Sequence, residues 1–358
     1  MTILILVVVL GILIFVHEAG HFFVARKMGM KIEEFGFGFP PRLFGFKRKG
    51  TIYSINWIPF GGFVKILGEN GEDDSPDSFN RKSAWSRALV LVAGVTMNIL
   101  LAIVLLIFVN AAGVRIGLID GPSGGATDIR VQIIQVAPKS PAMNADLLAL
   151  DTIVGLSTDT QRVIVKEVTD IQTFISQNKG EEVTIEILRG KETKNINLVP
   201  RVDPPPGEGA MGVTLMKTGV VSYPWYEAIW RGTYDGIRMT AATAVGYATI
   251  IKNLFTTGSA GVNISGPVGI AVLTGQATKT GFNYLLQFIA IISINLAIIN
   301  IVPFPALDGG RLLFLLIEKI KGSPVNRKIE GWINAIGFFA LIILMIFITM
   351  RDVSRFFG

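Results

Sequence analysis

The chain contains no cysteine, few histidines and little charge. Of its 358 residues, two are histidines and 17% are charged, whereas 50% are hydrophobic. The absence of cysteine excludes disulfide bonds, thiolate-ligated zinc and a thiol nucleophile. Because the hydrophobic share is so high and the charge so low, we expect an integral membrane protein rather than a soluble enzyme.

The net charge of +6 does not indicate a nucleic-acid partner. The basic residues gather in loops beside apolar runs, where lysine and arginine set the orientation of membrane helices. We therefore expect a lipid bilayer as the surroundings and no nucleic acid as a partner.

Four apolar runs are long enough to cross a bilayer, which takes about 20 helical residues. The first lacks the basic start and the cleavage site of a signal peptide, so we expect it to be retained. A fifth region, 225–255, is interrupted by charges, which favours a helix lying at the outer membrane face over a fifth span. The four predicted spans are residues 2–25, 88–113, 283–302 and 333–349.

Lysine and arginine are concentrated in the loops after the first and the third span. The loop 26–87 carries eleven of them, and the loop after the third span carries five. The positive-inside rule predicts that both loops are cytoplasmic. Both termini and the long segment 114–281 are then expected on the extracytoplasmic side.

Both histidines lie in one motif near the cytoplasmic end of the first predicted span, His17-Glu18-Ala19-Gly20-His21. This is the HExxH pattern, in which positions i and i+4 share a helix face and both imidazoles reach one metal ion. Glu18 lies beside them and can act as a general base on water. Ionisable groups at bilayer depth are costly and usually functional, so we expect Zn²⁺-dependent hydrolysis.

A catalytic zinc ion usually takes three protein ligands and one water molecule. With no further histidine and no cysteine, an aspartate or glutamate must supply the third. Asp308 follows two helix-breaking prolines at the cytoplasmic end of the third span, the level of the histidines. The local sequence is equally consistent with Asp308 capping the next helix. The need for a third ligand favours Asp308 as that ligand.

The chain resembles the site-2 protease family of intramembrane zinc metalloproteases, most closely its bacterial regulator-of-sigma-E protease type. HEAGH at 17–21, AGVTMN at 93–98 and NxxPxPxLDGG at 300–310 carry the resemblance. It implies a bacterial cytoplasmic (inner) membrane protease with single-span membrane proteins as substrates, such as anti-sigma factors and signal-peptide remnants. The residue roles it implies are zinc ligation by His17, His21 and Asp308, catalysis by Glu18, and substrate positioning by Asn295 and Asn300.

Two segments between the spans have strand-like patterns. Residues 36–69 are rich in glycine and aromatic residues, and the resemblance implies a membrane re-entrant β-hairpin that offers an edge strand to the substrate. An interfacial anchor is the alternative. Residues 117–203 resemble a bacterial-type PDZ domain, although Leu150 replaces a common glycine before Asp151. Peptide capture and a steric filter over the active site both remain open for it.

These patterns predict a polytopic α-helical membrane protein with four transmembrane helices, a membrane-associated β-hairpin region and one inserted β-rich PDZ-like domain. Two other functions remain open, an intramembrane zinc transporter and a PDZ-bearing membrane scaffold with a structural metal site. The predicted domains are an N-terminal membrane half at 1–113, the PDZ-like domain at 117–203, a linker with a membrane-surface helix at 204–281, and a C-terminal membrane half at 282–358.

Overall fold

The structure is a computed structural model that describes residues 2–69, 73, 75–118, 125–190, 192–258, 266–323 and 325–357. Its helices are Thr2–Lys27 (α1), Ala84–Ala112 (α2), Pro141–Asn144 (α3), Val168–Gln177 (α4), Trp225–Thr257 (α5), Pro267–Thr280 (α6), Phe282–Ile301 (α7), Asp308–Lys321 (α8) and Arg327–Phe357 (α9). Its strands are Ile32–Arg48 (β1), Thr51–Ile66 (β2), Val114–Gly117 (β3), Thr127–Val136 (β4), Thr152–Ser157 (β5), Arg162–Ile164 (β6), Val183–Arg189 (β7), Glu192–Leu198 (β8) and Val213–Val221 (β9).

The four predicted spans are confirmed as helices. Within the described residues, α1, α2, α7 and the Lys328–Ser354 part of α9 are long and apolar enough to cross a membrane. The helix α1 ends two residues after its predicted span, α2 begins four residues before its own, and α9 extends past its span at both ends, whereas α7 ends one residue early. The chain is therefore a membrane protein with four candidate spans and additional β-structure.

The chain divides into two compact units. One comprises Met1–Ile107, Arg231–Gly275 and Leu286–Gly358, and the other comprises Phe108–Trp230 and Gln276–Leu285. The first contains most of the apolar helices and the β1–β2 hairpin, and the second contains the larger sheet.

The β1–β2 hairpin is longer than the predicted segment 36–69 at its start and doubles back on itself. Phe35 pairs with both Tyr53 and Val64, so the 62–66 part of β2 forms an edge of the hairpin sheet. Gly38 lies at the bend in β1 with φ +78°, and a Cβ there would come within 2.6 Å of the Ile58 carbonyl oxygen. The bend therefore requires glycine.

The second unit contains a seven-stranded antiparallel sheet in the order β3-β9-β4-β5-β7-β8, with β6 pairing with β5. Its core includes Ile133, Leu156, Phe174 and Ile185, all nearly inaccessible to solvent. The sheet extends beyond the predicted domain 117–203, because β3 and β9 also belong to it. Residues 213–221, which the sequence placed in a linker, instead form β9 and pair with β4 along most of their length.

The helix α5 matches the predicted amphipathic helix 225–255 closely in length. In the first unit its glycines Gly232 and Gly236 pack against Ile107 and Ile103 of α2. The Tyr247 hydroxyl farther along the helix donates a hydrogen bond to Asn295 Oδ1 at 3.1 Å. The position of α5 relative to the bilayer stays a prediction.

We expect replacement of Arg189 by methionine to destabilise the seven-stranded sheet by about 3 kcal/mol, because the buried Asp151 carboxylate loses its positively charged partner. Arg189 donates two hydrogen bonds to Asp151, at 2.8 and 2.7 Å, and Asp151 is 1% exposed. Hydrogen exchange of the β5 and β7 amides in the full chain measures the loss. Arg162→Met breaks the exposed pair with Glu186 and is the control, with an expected cost below about 1 kcal/mol. Equal exchange in both variants would contradict the prediction.

Candidate metal and catalytic site

The helix α1 presents His17 and His21 on one face. The four-residue spacing makes one helical turn, and the Nε2 atoms of the two rings lie 3.1 Å apart. Both histidines are buried, with 6% and 7% of their surface exposed. The helix therefore directs two imidazole nitrogens to one point inside the protein.

Asp308 lies at the same point, 291 residues from His17 in sequence. Its Oδ2 atom is 3.0 Å from His17 Nε2 and 3.3 Å from His21 Nε2. Asp308 is the first residue of α8, and Leu307 occupies the N-cap position. The capping role that the sequence left open is therefore not the role that its side chain has in the structure.

A tight reversal of the chain brings Asp308 to the histidines. The helix α7 ends at Ile301 and α8 begins at Asp308. A Cβ on Gly309 would clash with the Val302 carbonyl oxygen, and one on Gly310 with that of Phe304. These two glycines let α8 start directly against the end of α7.

The ring nitrogens facing away from the cluster contact α2. His21 Nδ1 lies 2.8 Å from the Val90 carbonyl oxygen, which can only accept, so His21 Nδ1 carries a proton. The neutral ring then offers a lone pair at Nε2. Outer partners of this kind fix the tautomer and orientation of metal-binding histidines.

The three inner atoms fit a zinc ion. Zinc takes imidazole nitrogen and carboxylate oxygen, and in a tetrahedral site neighbouring ligand atoms lie about 3.3 Å apart. The separations of 3.0, 3.1 and 3.3 Å are close to that value. His17, His21 and Asp308 form the group able to hold a metal ion among the described residues.

Glu18 lies next to this cluster on α1. Its Oε2 atom accepts a hydrogen bond from the Val64 backbone N–H at 3.0 Å. Val64 belongs to the edge part of β2, and this N–H points to α1 instead of to β1. The hairpin edge therefore lies beside the carboxylate of the HExxH motif.

The histidines are also enclosed by a close approach of α1 and α2. A Cβ built on Gly94 would lie 2.5 Å from His21 Nε2 and 2.7 Å from His17 Nε2. A Cβ on Gly20 would lie 2.5 Å from the Ala93 carbonyl oxygen. Glycine at these two positions allows α2 to pack directly against α1 and its imidazoles.

Within the described residues, no hydrogen bond links Asn295 or Asn300 to His17, His21 or Asp308, and their role in substrate positioning stays a prediction. Asn295 donates to the Ile291 carbonyl oxygen at 2.8 Å and accepts from Tyr247. Asn300 is partly buried near the end of α7. Sequence reasoning gave Gly94 and Asn98 no role in the site. The AGVTMN segment contains both residues, but nothing in it indicates that they face the histidines.

The model of peptidase family M50 matches residues 5–344 of the chain. The chain belongs to peptidase family M50, the site-2 protease family. A Clostridium acetobutylicum protein named as a zinc metalloprotease is 34% identical to it over 355 residues, which cover 98% of this chain and 97% of the relative. The zinc metalloprotease RasP of Oceanobacillus iheyensis is 30% identical and the regulator of sigma-W protease RasP of Bacillus subtilis is 29% identical, each over 99% of both chains.

As an M50 peptidase, the chain is an intramembrane zinc metalloprotease, and the expected family, enzyme class and zinc cofactor are confirmed. The zinc transporter and the scaffold with a structural metal site are not favoured. Because the match covers nearly the whole length of these relatives, the membrane helices and the β-rich unit both lie within the shared region.

Proposed function

We propose that His17, His21 and Asp308 hold the catalytic zinc ion and that Glu18 is the catalytic base of an endopeptidase acting on single-span membrane proteins. The convergence of three ligand atoms within 3.3 Å of one another carries this proposal. Glu18 is next to His17 in sequence, as the HExxH mechanism requires. The cut falls within or beside the apolar segment of the substrate.

The chemistry divides between the metal and the protein. A bound zinc ion supplies Lewis acidity, which acidifies water and polarises a carbonyl group. The Glu18 carboxylate accepts the proton of the attacking water and delivers it to the leaving amine. The buried imidazoles and Asp308 hold their positions through contacts with α2 and α8, so little reorganisation accompanies the reaction.

The hairpin edge supports binding of the substrate as an added strand. A transmembrane segment must unwind to be cut, and each freed backbone group without a partner costs about 4 kcal/mol in lipid. The Val64 N–H, which donates to Glu18, lies on the edge of β2, so a strand added along this edge would run beside the catalytic carboxylate. A hairpin serving purely as an interfacial anchor would not need this juxtaposition.

The charge distribution supports an orientation with the site toward the cytoplasm. Basic loops after the first and third spans favour cytoplasmic placement, with both termini and the seven-stranded sheet outside. The name of the Bacillus subtilis relative, regulator of sigma-W protease, supports anti-sigma-factor-like substrates. The four apolar helices support a bacterial inner membrane as the location. Peptide binding and size filtering both stay open as roles for the PDZ-like segment 117–203.

Metal removal tests this function. We expect chelation to abolish cleavage of a single-span substrate in proteoliposomes and stoichiometric zinc to restore it, because the ligands cannot activate water alone. Asp308→Ala should lose stoichiometric zinc, and Asp159→Ala, which changes an exposed carboxylate in the sheet unit, should keep it. Full zinc content with unchanged affinity in Asp308→Ala would remove Asp308 from the ligand set. Zinc flux without peptidase activity would favour transport.

A further inference from the structure

Asn98 is the buried polar side chain of α2 that faces the outer side of His17. It is fully buried, at 0% exposed, and its Nδ2 atom lies 3.3 Å from His17 Nδ1. Its Oδ1 atom is also buried and has no hydrogen-bond partner. A buried amide with an unsatisfied oxygen costs about 1–3 kcal/mol and calls for an explanation.

The backbone holds Asn98 in place independently of its side chain. The Ser293 hydroxyl of α7 donates a hydrogen bond to the Asn98 carbonyl oxygen at 2.8 Å. This contact links α2 to α7 at the level of the site. An inter-helix hydrogen bond is therefore already supplied by the main chain, and the side-chain amide is left to face the imidazole.

The protonation of His17 determines whether the oxygen or the nitrogen of the Asn98 amide should face its Nδ1 atom. His17 Nε2 faces Asp308 and His21, so this nitrogen must present its lone pair to a metal ion. A neutral imidazole then carries its proton at Nδ1 and needs an acceptor there. The Asn98 oxygen serves as that acceptor once the amide turns by 180°, an assignment that follows from the hydrogen-bond network.

We propose that Asn98 is a positioning residue whose side-chain oxygen accepts the Nδ1 proton of His17 and so fixes the tautomer and ring orientation that zinc binding requires. The Val90 carbonyl does the same for His21. The α2 helix thus sets both imidazoles, one through its backbone and one through a side chain. This inference rests on the proposed zinc site and names a further residue that supports it.

The chain offers a direct spectroscopic test, because His17 and His21 are its only histidines. Histidine labelled with ¹⁵N in the full chain reports just these two rings. In the wild type we expect zinc to shift both Nε2 resonances while both Nδ1 atoms stay protonated. If zinc shifts neither Nε2, the proposed zinc site itself is wrong, whatever Asn98 does.

Asn98→Leu keeps the approximate volume and removes the acceptor. We expect a 10- to 100-fold loss of zinc affinity, about the effect of losing an outer partner of a metal-binding histidine, measured by competition with a chelator. The His17 Nδ1 resonance should shift and that of His21 should not. Asn110→Leu removes another buried amide of α2 and is the matched control, with unchanged zinc affinity expected.

Asn98→Asp restores an acceptor and should recover zinc affinity to within a few-fold of the wild type, about what a retained hydrogen bond predicts. The proposal is overturned if Asn98→Leu binds zinc as the wild type does, or if Asn98→Asp fails as fully as the leucine variant. If Asn98→Leu does not fold, Asn98→Asp tests the proposal alone. A carboxylate acceptor must then shift the His17 Nδ1 resonance relative to that of His21, and no such difference would overturn the proposal.

Discussion

Replacing Glu18 by glutamine should lower the rate of substrate cleavage by about 10²–10⁴-fold, the usual contribution of a general base. Glutamine keeps the size of the side chain but cannot accept the proton of the attacking water. The amide oxygen can still accept the hydrogen bond from the Val64 N–H, so the contact with the hairpin edge should persist. Cleavage of a single-span substrate in proteoliposomes, with zinc content measured on the same sample, gives the result.

Zinc content separates catalysis from ligation in this variant. Glu18 is not among the atoms that converge with the histidines and Asp308, so Glu18→Gln should keep stoichiometric zinc. Glu33→Gln is the matched control, since Glu33 belongs to the hairpin and pairs with Lys65 on its partly exposed side. Wild-type cleavage by a folded, zinc-loaded Glu18→Gln protein would exclude Glu18 as the base. Loss of zinc would instead make it a ligand.

The three ligand side chains could be predicted from the sequence, whereas the residues packed around them could not. His17 and His21 could be paired because four residues make about one helical turn. Asp308 lies 291 residues from His17, so its spacing in sequence could not identify it. It was predicted as a ligand because no other histidine or cysteine is present and because it lies at the same membrane depth. Family resemblance then gave the ligand set directly, and the structure brings those three side chains together.

The parts that sequence reasoning missed depend on tertiary contacts. Nothing in the pattern of α2 distinguishes Asn98, which faces an imidazole, from an amide that joins two helices. The strand β9 was assigned to a linker because polyproline at 204–206 precedes it and the partner β4 is distant in sequence. Strand pairing between remote segments leaves no local signal, whereas an apolar run of about 20 residues identifies a span by itself.

Replacing Gly94 by alanine should strongly weaken zinc binding, because Gly94 packs closely against both histidines. The added methyl group would lie 2.5 Å from His21 Nε2 and 2.7 Å from His17 Nε2. Both are nitrogens that face the metal position, so the rings must rotate or α1 must move away from α2. Moving α1 away from α2 would also break the close contact between Gly20 and the Ala93 carbonyl. We expect zinc affinity to fall by more than about 100-fold, beyond the loss of one outer partner.

Stability should fall in the same variant, because overpacking a tight contact costs about 1–3 kcal/mol. Chelator competition measures the affinity, and thermal unfolding with and without zinc measures the stability. Gly246→Ala is the matched control, since a Cβ at this helical glycine meets nothing within 4 Å. It should keep zinc affinity and gain up to about 1 kcal/mol from helix propensity. The same propensity gain applies at Gly94, so the contrast isolates the clash with the imidazoles. Wild-type zinc affinity in Gly94→Ala would mean that α2 does not hold the histidines in place.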